Sequence, residues 1–145
     1  MIELIFVIVI LGILAVIAIP KMAATRNDAR IAATSQSIAT AATEIASYAI
    51  SQGVVETDMS KMSQVIQTLI GRGDATQPDM NVTIVNFKMG GINDCIALEV
   101  DDGGMDANLT VSYPGVFGDP SCDRLRDRFD ASHYPIPLRG ARVVH

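Results

Sequence analysis

Two cysteines, two histidines and one acidic cluster are the side chains of this 145-residue chain whose types and spacing suggest chemistry. Cys95 and Cys122 form a disulfide in an oxidising compartment, closing a loop worth on the order of 3 kcal/mol in the chain-entropy model. In a reducing compartment they are two small buried thiols. Cys95 with His133 would be a thiol–imidazole pair, but Cys122 competes for the sulfur and nothing in the sequence orients the ring. His145 is the last residue, a poor place for a general base. No phosphate-binding glycine loop, dinucleotide pattern or zinc spacing appears, so the chain reads as a non-enzyme.

Asp101, Asp102, Asp106 and Asn108 supply hard oxygen ligands at short spacing, the kind calcium takes. They lack the twelfth-position glutamate and full spacing of an EF-hand, and Asp–Gly-rich hairpin turns are common without any ion. Calcium is the one cofactor the sequence suggests. Asn81-Val82-Thr83 and Asn108-Leu109-Thr110 are N-glycosylation triplets, with Asp79 and Asp106 two residues ahead of each asparagine.

The elements that position these residues are legible in the pattern. Thr57 or Asp58 caps a helix running to about Ile70, with Met59, Met62, Val65, Ile66, Leu69 and Ile70 as its apolar face and Gly71–Asp74 as its stop. The methionines read as core filling. Three strands follow, over Asn81–Lys88 with Val82 and Ile84, or Val85 as an alternative, alternating with Phe87, over Cys95–Val100, and over Leu109–Tyr113. The turn Asp101-Asp102-Gly103-Gly104 joins the last two as an antiparallel hairpin. A short helix spans about Cys122–Phe129, and a tail through Pro135 and Pro137 packs on the sheet through Tyr134, Ile136, Leu138 and Val143.

The first half of the chain is different. Leu4 to Ile19 carries no charged or polar side chain, and Met1–Ile19 as a helix reaches roughly 29 Å, the thickness of a bilayer's hydrocarbon core. Glu3 sits at the edge of that run. A carboxylate there either lies at a headgroup surface or neutralises a positive group when helices pack. Pro20 predicts a kink or a melted turn, and Gly12 weakens the helix by roughly 1 kcal/mol relative to alanine. From Lys21 to about Ser51 the chain is alanine-rich without proline or glycine. Ile31, Ile38 and Ile45 recur every seven residues, with Ala24, Ala42 and Ala49 beside them, in one narrow apolar stripe. Lys21, Arg26 and Arg30 suit anionic headgroups. The net charge of -5, with Arg124, Arg126 and Arg128 as the sole loose basic cluster, argues against specific nucleic-acid binding.

The run Ile2-Glu3-Leu4, the apolar stretch with Gly12 and the proline at Pro20 resemble the N-terminal methylation motif of type IV pilins and of the related type II secretion pseudopilins. The resemblance implies that Glu3 is the family's conserved glutamate, that Met1 is the third mature residue, and that a basic leader and a methylated N-terminal residue precede it. It implies an α+β fold with a long N-terminal helix spine packed on a small antiparallel β-sheet. The chain divides into a membrane and filament-core half of the helix (1–20), an amphipathic half (21–52) and a globular head (53–145).

The implied function is that of a structural subunit of a type IV pilus filament, a homo-oligomer polymerising through its N-terminal helix, with Glu3, Gly12 and Pro20 as assembly residues. Its implied partners are the bacterial inner membrane before assembly, a prepilin peptidase and an inner-membrane assembly platform, and its destination is the extracellular pilus. A pseudopilin of a type II secretion or DNA-uptake system, remaining periplasmic, fits the same motif. A monomeric membrane-tethered binding protein is the reading from a different class. In this setting the Asp79 and Asp106 triplets resemble the acidic sequon of bacterial glycosylation, and some relatives in the family bind calcium in their C-terminal region.

Overall fold

The computed structural model describes residues 2–101, 107–138 and 142–144, with backbone alone over 17–23 and 142–144. One helix, α1 (Ile2–Gln52), makes up the first third of the chain. It ends where Gly53 takes a left-handed φ of 69° that side chains disfavour. The helical backbone continues through Pro20, so the melted turn expected there is absent. A proline at this position removes one hydrogen bond, and the turns on either side carry the helix on.

The stripe on the second half of α1 does what its spacing predicts: Ile31, Ile38, Ile45, Ala42 and Ala49 are buried. Ala24 is exposed, contrary to expectation. Asn27 and Asp28, further along the helix, meet Ser121 and Arg124 of the head. Arg30 pairs with Asp74 at 3.2 Å, which draws it toward the head and away from a headgroup role.

After β1 (Val54–Glu56) comes a single 3-10 turn over Met59–Lys61, and then α2 (Gln64–Arg72). The single helix expected from Asp58 is thus split. Asp58 caps the 3-10 turn, while Ser63, in extended conformation, caps α2 by accepting from the Ile66 amide. Glu44 of α1 explains the break: its carboxylate accepts from the Ser63 hydroxyl (2.6 Å) and the Val65 amide (3.2 Å), pinning the start of α2 to the spine. At its other end α2 runs past Gly71 to Arg72, closed by Gly73 at φ 78° with amides 73 and 74 returning to Ile70 and Leu69.

The main sheet has five strands in the order β2 (Ala75–Thr76), β3 (Ile84–Met89), β4 (Ile92–Asp101), β5 (Asn108–Ser112) and β6 (Ile136–Pro137), all antiparallel. β4 and β5 form the expected hairpin, with Asp101 opposite Asn108. In β3 the inward face is Val85, Phe87 and Met89. Of the expected residues Val85 and Phe87 lie on this face; Val82 lies before the strand and is exposed, and Ile84 is out of phase with it. β7 (Arg142–Val144) runs parallel to β1 in a separate two-stranded sheet, so this part of the tail pairs at the end of α1 and not on the main sheet. The architecture is α+β. The spine's immediate neighbours are α2, α3 (Pro120–Arg128) and β1, and side chains from the sheet such as Phe87 and Leu98 complete one core with Ile38 and Ile45.

Truncating Ile38 to alanine is expected to lower the unfolding free energy by roughly 2–5 kcal/mol, since the site is fully enclosed. Phe6→Ala, on the exposed part of the same helix, should stay within about 0.5 kcal/mol. Denaturant unfolding of the two variants followed by circular dichroism checks both.

Candidate functional site

The first half of α1 stands clear of the head. Every large apolar side chain from Ile2 to Val16 is exposed, from 41% at Ile10 to 79% at Ile2. Apolar residues of this size recover on the order of 1.5–3 kcal/mol each when fully covered. No stripe is visible among them; the segment is apolar on all sides, as is usual for a helix that something else surrounds. A Cβ placed on Gly12 meets nothing within 4 Å, so no contact among the described residues requires its small size. Glu3 is exposed in the first turn, at the tip of this rod.

Among the described residues no helix is long and apolar enough to cross a membrane. Of the segment Met1–Ile19 read as membrane-spanning, Met1 and the side chains of residues 17–19 lie outside the described residues.

The head is fastened by a cluster around α3. Cys95 of β4 and Cys122 of α3 are joined in a disulfide with Cα atoms 5.7 Å apart, and both are fully buried. One helical turn on, Arg126 is buried too, a placement that sequence reasoning missed. Its Nε donates to the Cys95 carbonyl (3.0 Å) and its Nη2 to the Gly115 carbonyl (2.7 Å), and Phe117 lies over the guanidinium at 4.6 Å. The basic cluster seen in the sequence is therefore dispersed: Arg126 faces inward, and Arg124 pairs with Asp28 of α1 at 3.0 Å.

Asp119 caps α3, accepting from the amides of Ser121 and Cys122, and reaches across to the Gly91 amide in the β3–β4 turn. Gly90 in that turn has φ 62°, and a side chain there would run into the Asp119 carboxylate. Hydrogen bonds from the amides of Gly91, Cys122 and Ser121 hold the Asp119 carboxyl below its ordinary pKa.

The other sequence-predicted residues do not come together as a site. Asp101 and Asn108 face each other at the ends of β4 and β5, while Asp102 and Asp106 lie outside the described residues. No group of three or more His, Cys, Asp or Glu side chains able to hold a metal occurs among the described residues. Asn81 is exposed in a turn, its amide bonded to the Asp79 carboxylate, and the Thr83 hydroxyl donates to the Val100 carbonyl. Asn108 is half-buried in a strand paired on both sides, so of the two triplets only the first is presented to solvent. Cys95 is bound to Cys122, and His133 is exposed beside Asp130 at 3.7 Å. The thiol–imidazole pair is absent.

No family model, no curated protein and no solved structure matches the chain.

The lowered pKa of Asp119 has a sign for stability. Its contribution is complete above the unfolded carboxyl value near about 4 and is lost as pH falls through the folded value. Asp119→Asn is expected to melt at lower temperature than the parent at pH 7, with the gap closing as pH is lowered from about 5 toward 2. A gap that stayed constant over that range would exclude the carboxylate as its source.

Proposed function

We propose that the chain is the structural subunit of a filament of the type IV pilus kind, polymerising through the bare half of α1. The carrying observation is that rod: apolar on every side, unbroken with the head's own spine, and left exposed by the rest of the described residues. Exposed apolar surface of this extent marks a site for lipid or for protein. Before assembly the rod rests in the inner membrane, and a prepilin peptidase and an inner-membrane platform process and deliver it. In the filament, rods of many copies cover one another, and heads held by α3, α2 and the disulfide form the outer shell. Secretion outside the reducing cytoplasm fits the Cys95–Cys122 bond.

Glu3 gives the rod a polar mark at one end. Sunk among apolar neighbours, its carboxylate needs a cation, and the amine at the start of an adjacent chain supplies one. Breaking a buried pair by removing one partner costs about 3–5 kcal/mol, far more than a solvent-exposed pair is worth. Glu3→Ala is therefore expected to cut filament yield by about tenfold or more while the head's melting temperature is unchanged. Sheared filaments counted by electron microscopy, beside thermal unfolding of the same variant, give the answer; normal filaments from this variant would remove the role assigned to Glu3. A pseudopilin of a secretion or DNA-uptake system would use the same contacts in a short periplasmic fibre, and the presence of long filaments outside the cell separates the two.

A further inference from the structure

Val116 and Phe117, in the loop between β5 and α3, are each 77% exposed, more than any other large apolar side chain described on the head. The loop is held from beneath. The Gly115 amide donates to the Asp94 carbonyl (2.8 Å), Nη2 of Arg126 donates to the Gly115 carbonyl (2.7 Å), and the Phe117 ring lies over the guanidinium at 4.6 Å. A Cβ on Gly115 would come within 2.6 Å of both the Asp94 oxygen and an Ile92 methyl, so the loop cannot sit this close to β4 with any larger residue. Two large apolar side chains on a fixed loop form a preorganised contact, because little conformational freedom is left to lose on binding.

What the loop can meet is decided by its height along α1. α3 climbs the spine: near its start Ser121 accepts from the Asn27 side-chain amide (3.0 Å) and Arg124 pairs with Asp28, while Arg128 and Phe129 at its far end share a groove with Gln36 and Ala39. The start of α3 is therefore the end nearest the bare rod, and the loop enters α3 there. The sheet agrees. Gly115 meets Asp94 close to the start of β4, and Asp119 reaches Gly91 in the β3–β4 turn. Lys88, just before that turn, donates its amide to Asp74, which in turn pairs with Arg30. Val116 and Phe117 thus sit on the end of the head that faces the rod. Met80, 70% exposed, belongs to the opposite end, where Thr83 pairs with Val100 near the finish of β4.

We propose that this loop is a second contact with lipid, setting Val116 and Phe117 into the headgroup layer of a zwitterionic bilayer while the rod occupies its hydrocarbon. The inference rests on the filament reading above, in which the rod lies in a membrane before assembly. Asn27 is seven residues beyond Pro20, roughly 10 Å along the helix. The headgroup layer takes up about 5–8 Å on each side of the hydrocarbon. A tilt of about 20°, ordinary for an embedded helix, lowers a neighbour packed about 10 Å away by a further 3–4 Å or so. Side chains on the rod-facing end of the head then reach the depth at which apolar interfacial anchors lie. Arg124 and Arg30 at this level are engaged by Asp28 and Asp74, which leaves the apolar side chains to make the contact. A contact of this kind is insensitive to salt, unlike one made by exposed charges.

The test puts a small polar fluorophore on the full-length chain in phosphatidylcholine bilayers, at Val116→Cys, with Phe6→Cys on the rod and Met80→Cys at the far end of the head as references. Both native cysteines are already joined to each other, so the label goes to the introduced thiol. Phosphatidylcholine carrying a nitroxide quencher, either on the headgroup or along the acyl chain, reads the depth of each label. The expected result is that the headgroup nitroxide quenches the Val116→Cys label severalfold more than the Met80→Cys label, equally at low and high salt, and that this quenching falls severalfold when Phe117→Ser is added. Quenching that survives Phe117→Ser belongs to the label itself and overturns the proposal. A Val116→Cys label quenched no more than the Met80→Cys label, on a chain whose Phe6→Cys label is quenched by the acyl-chain nitroxide, overturns the loop contact and leaves the rod in lipid. A Phe6→Cys label that no nitroxide quenches overturns the membrane reading and the loop contact with it. A Val116→Cys label that responds only when filaments form assigns the loop to a second copy and overturns the proposal.

Discussion

The constraint on which the rest of this molecule depends is that one continuous helix must be covered in two different ways. α1 runs from Ile2 to Gln52, roughly 76 Å at 1.5 Å per residue, and the head packs along its second half, where Asn27 and Asp28 already meet Ser121 and Arg124. A helix cannot fold its first half back against its own second half without a break, and no break is present. The head therefore satisfies Ile31, Ile38 and Ile45, and leaves the segment from Ile2 to Val16 with its apolar surface toward whatever surrounds it. Lipid chains and other such helices are equally apolar covers, so exchanging one for the other changes hydrophobic free energy little. That near-balance is what would let a subunit leave one environment for the other.

The head is organised to grip the covered half of α1 at several heights. Arg124 meets Asp28 near the lower end, Arg30 meets Asp74 one half-turn on, and Glu44 receives the start of α2 further up. The exposed ion pairs contribute little each in water. Glu44 is more consequential, since its carboxylate satisfies an amide and a hydroxyl at the start of α2. The disulfide and Arg126 then tie β4, α3 and the loop before α3 into one unit. Removing Arg126 would leave the carbonyls of Cys95 and Gly115 without these donors, a larger loss than its surface charge suggests.

What the sequence made legible follows from how local its causes are. A seven-residue repeat of isoleucine in an alanine-rich segment can bury only one face, so Ile31, Ile38 and Ile45 could be read directly. Asp–Gly turns between alternating segments fixed the β4–β5 hairpin. The misreadings had non-local causes. Asp58 and Ser63 are both good caps, and the choice between them was made by Glu44, nineteen residues before Ser63. The inward face of β3 depended on its pairing with β4, which sets Val85 against Leu98 and Phe87 against Ile96. Arg126 looked like one of three surface arginines because its partners are backbone carbonyls, which carry no signature in sequence. Gly90 and Gly91 did carry a signal for the β3–β4 turn, and Gly115 a weaker one for a close approach.

A rod that is apolar on every side has a further physical consequence. Greasy cylinders attract one another without preference for rotation or axial offset, because hydrophobic contact is not directional. A regular polymer needs register, and register has to come from groups that are costly in the wrong place. Glu3 is such a group along the axis: paired it is tolerated, and displaced by a turn it is a carboxylate among apolar side chains. Around the axis the rod offers no equivalent, for between Leu4 and Val16 it has no polar side chain. Angular order must then be set outside the core, where the head has both shape and charge asymmetry. Axial register from the tip of the helix and angular register from the head are thus separate demands, met by residues far apart in the chain.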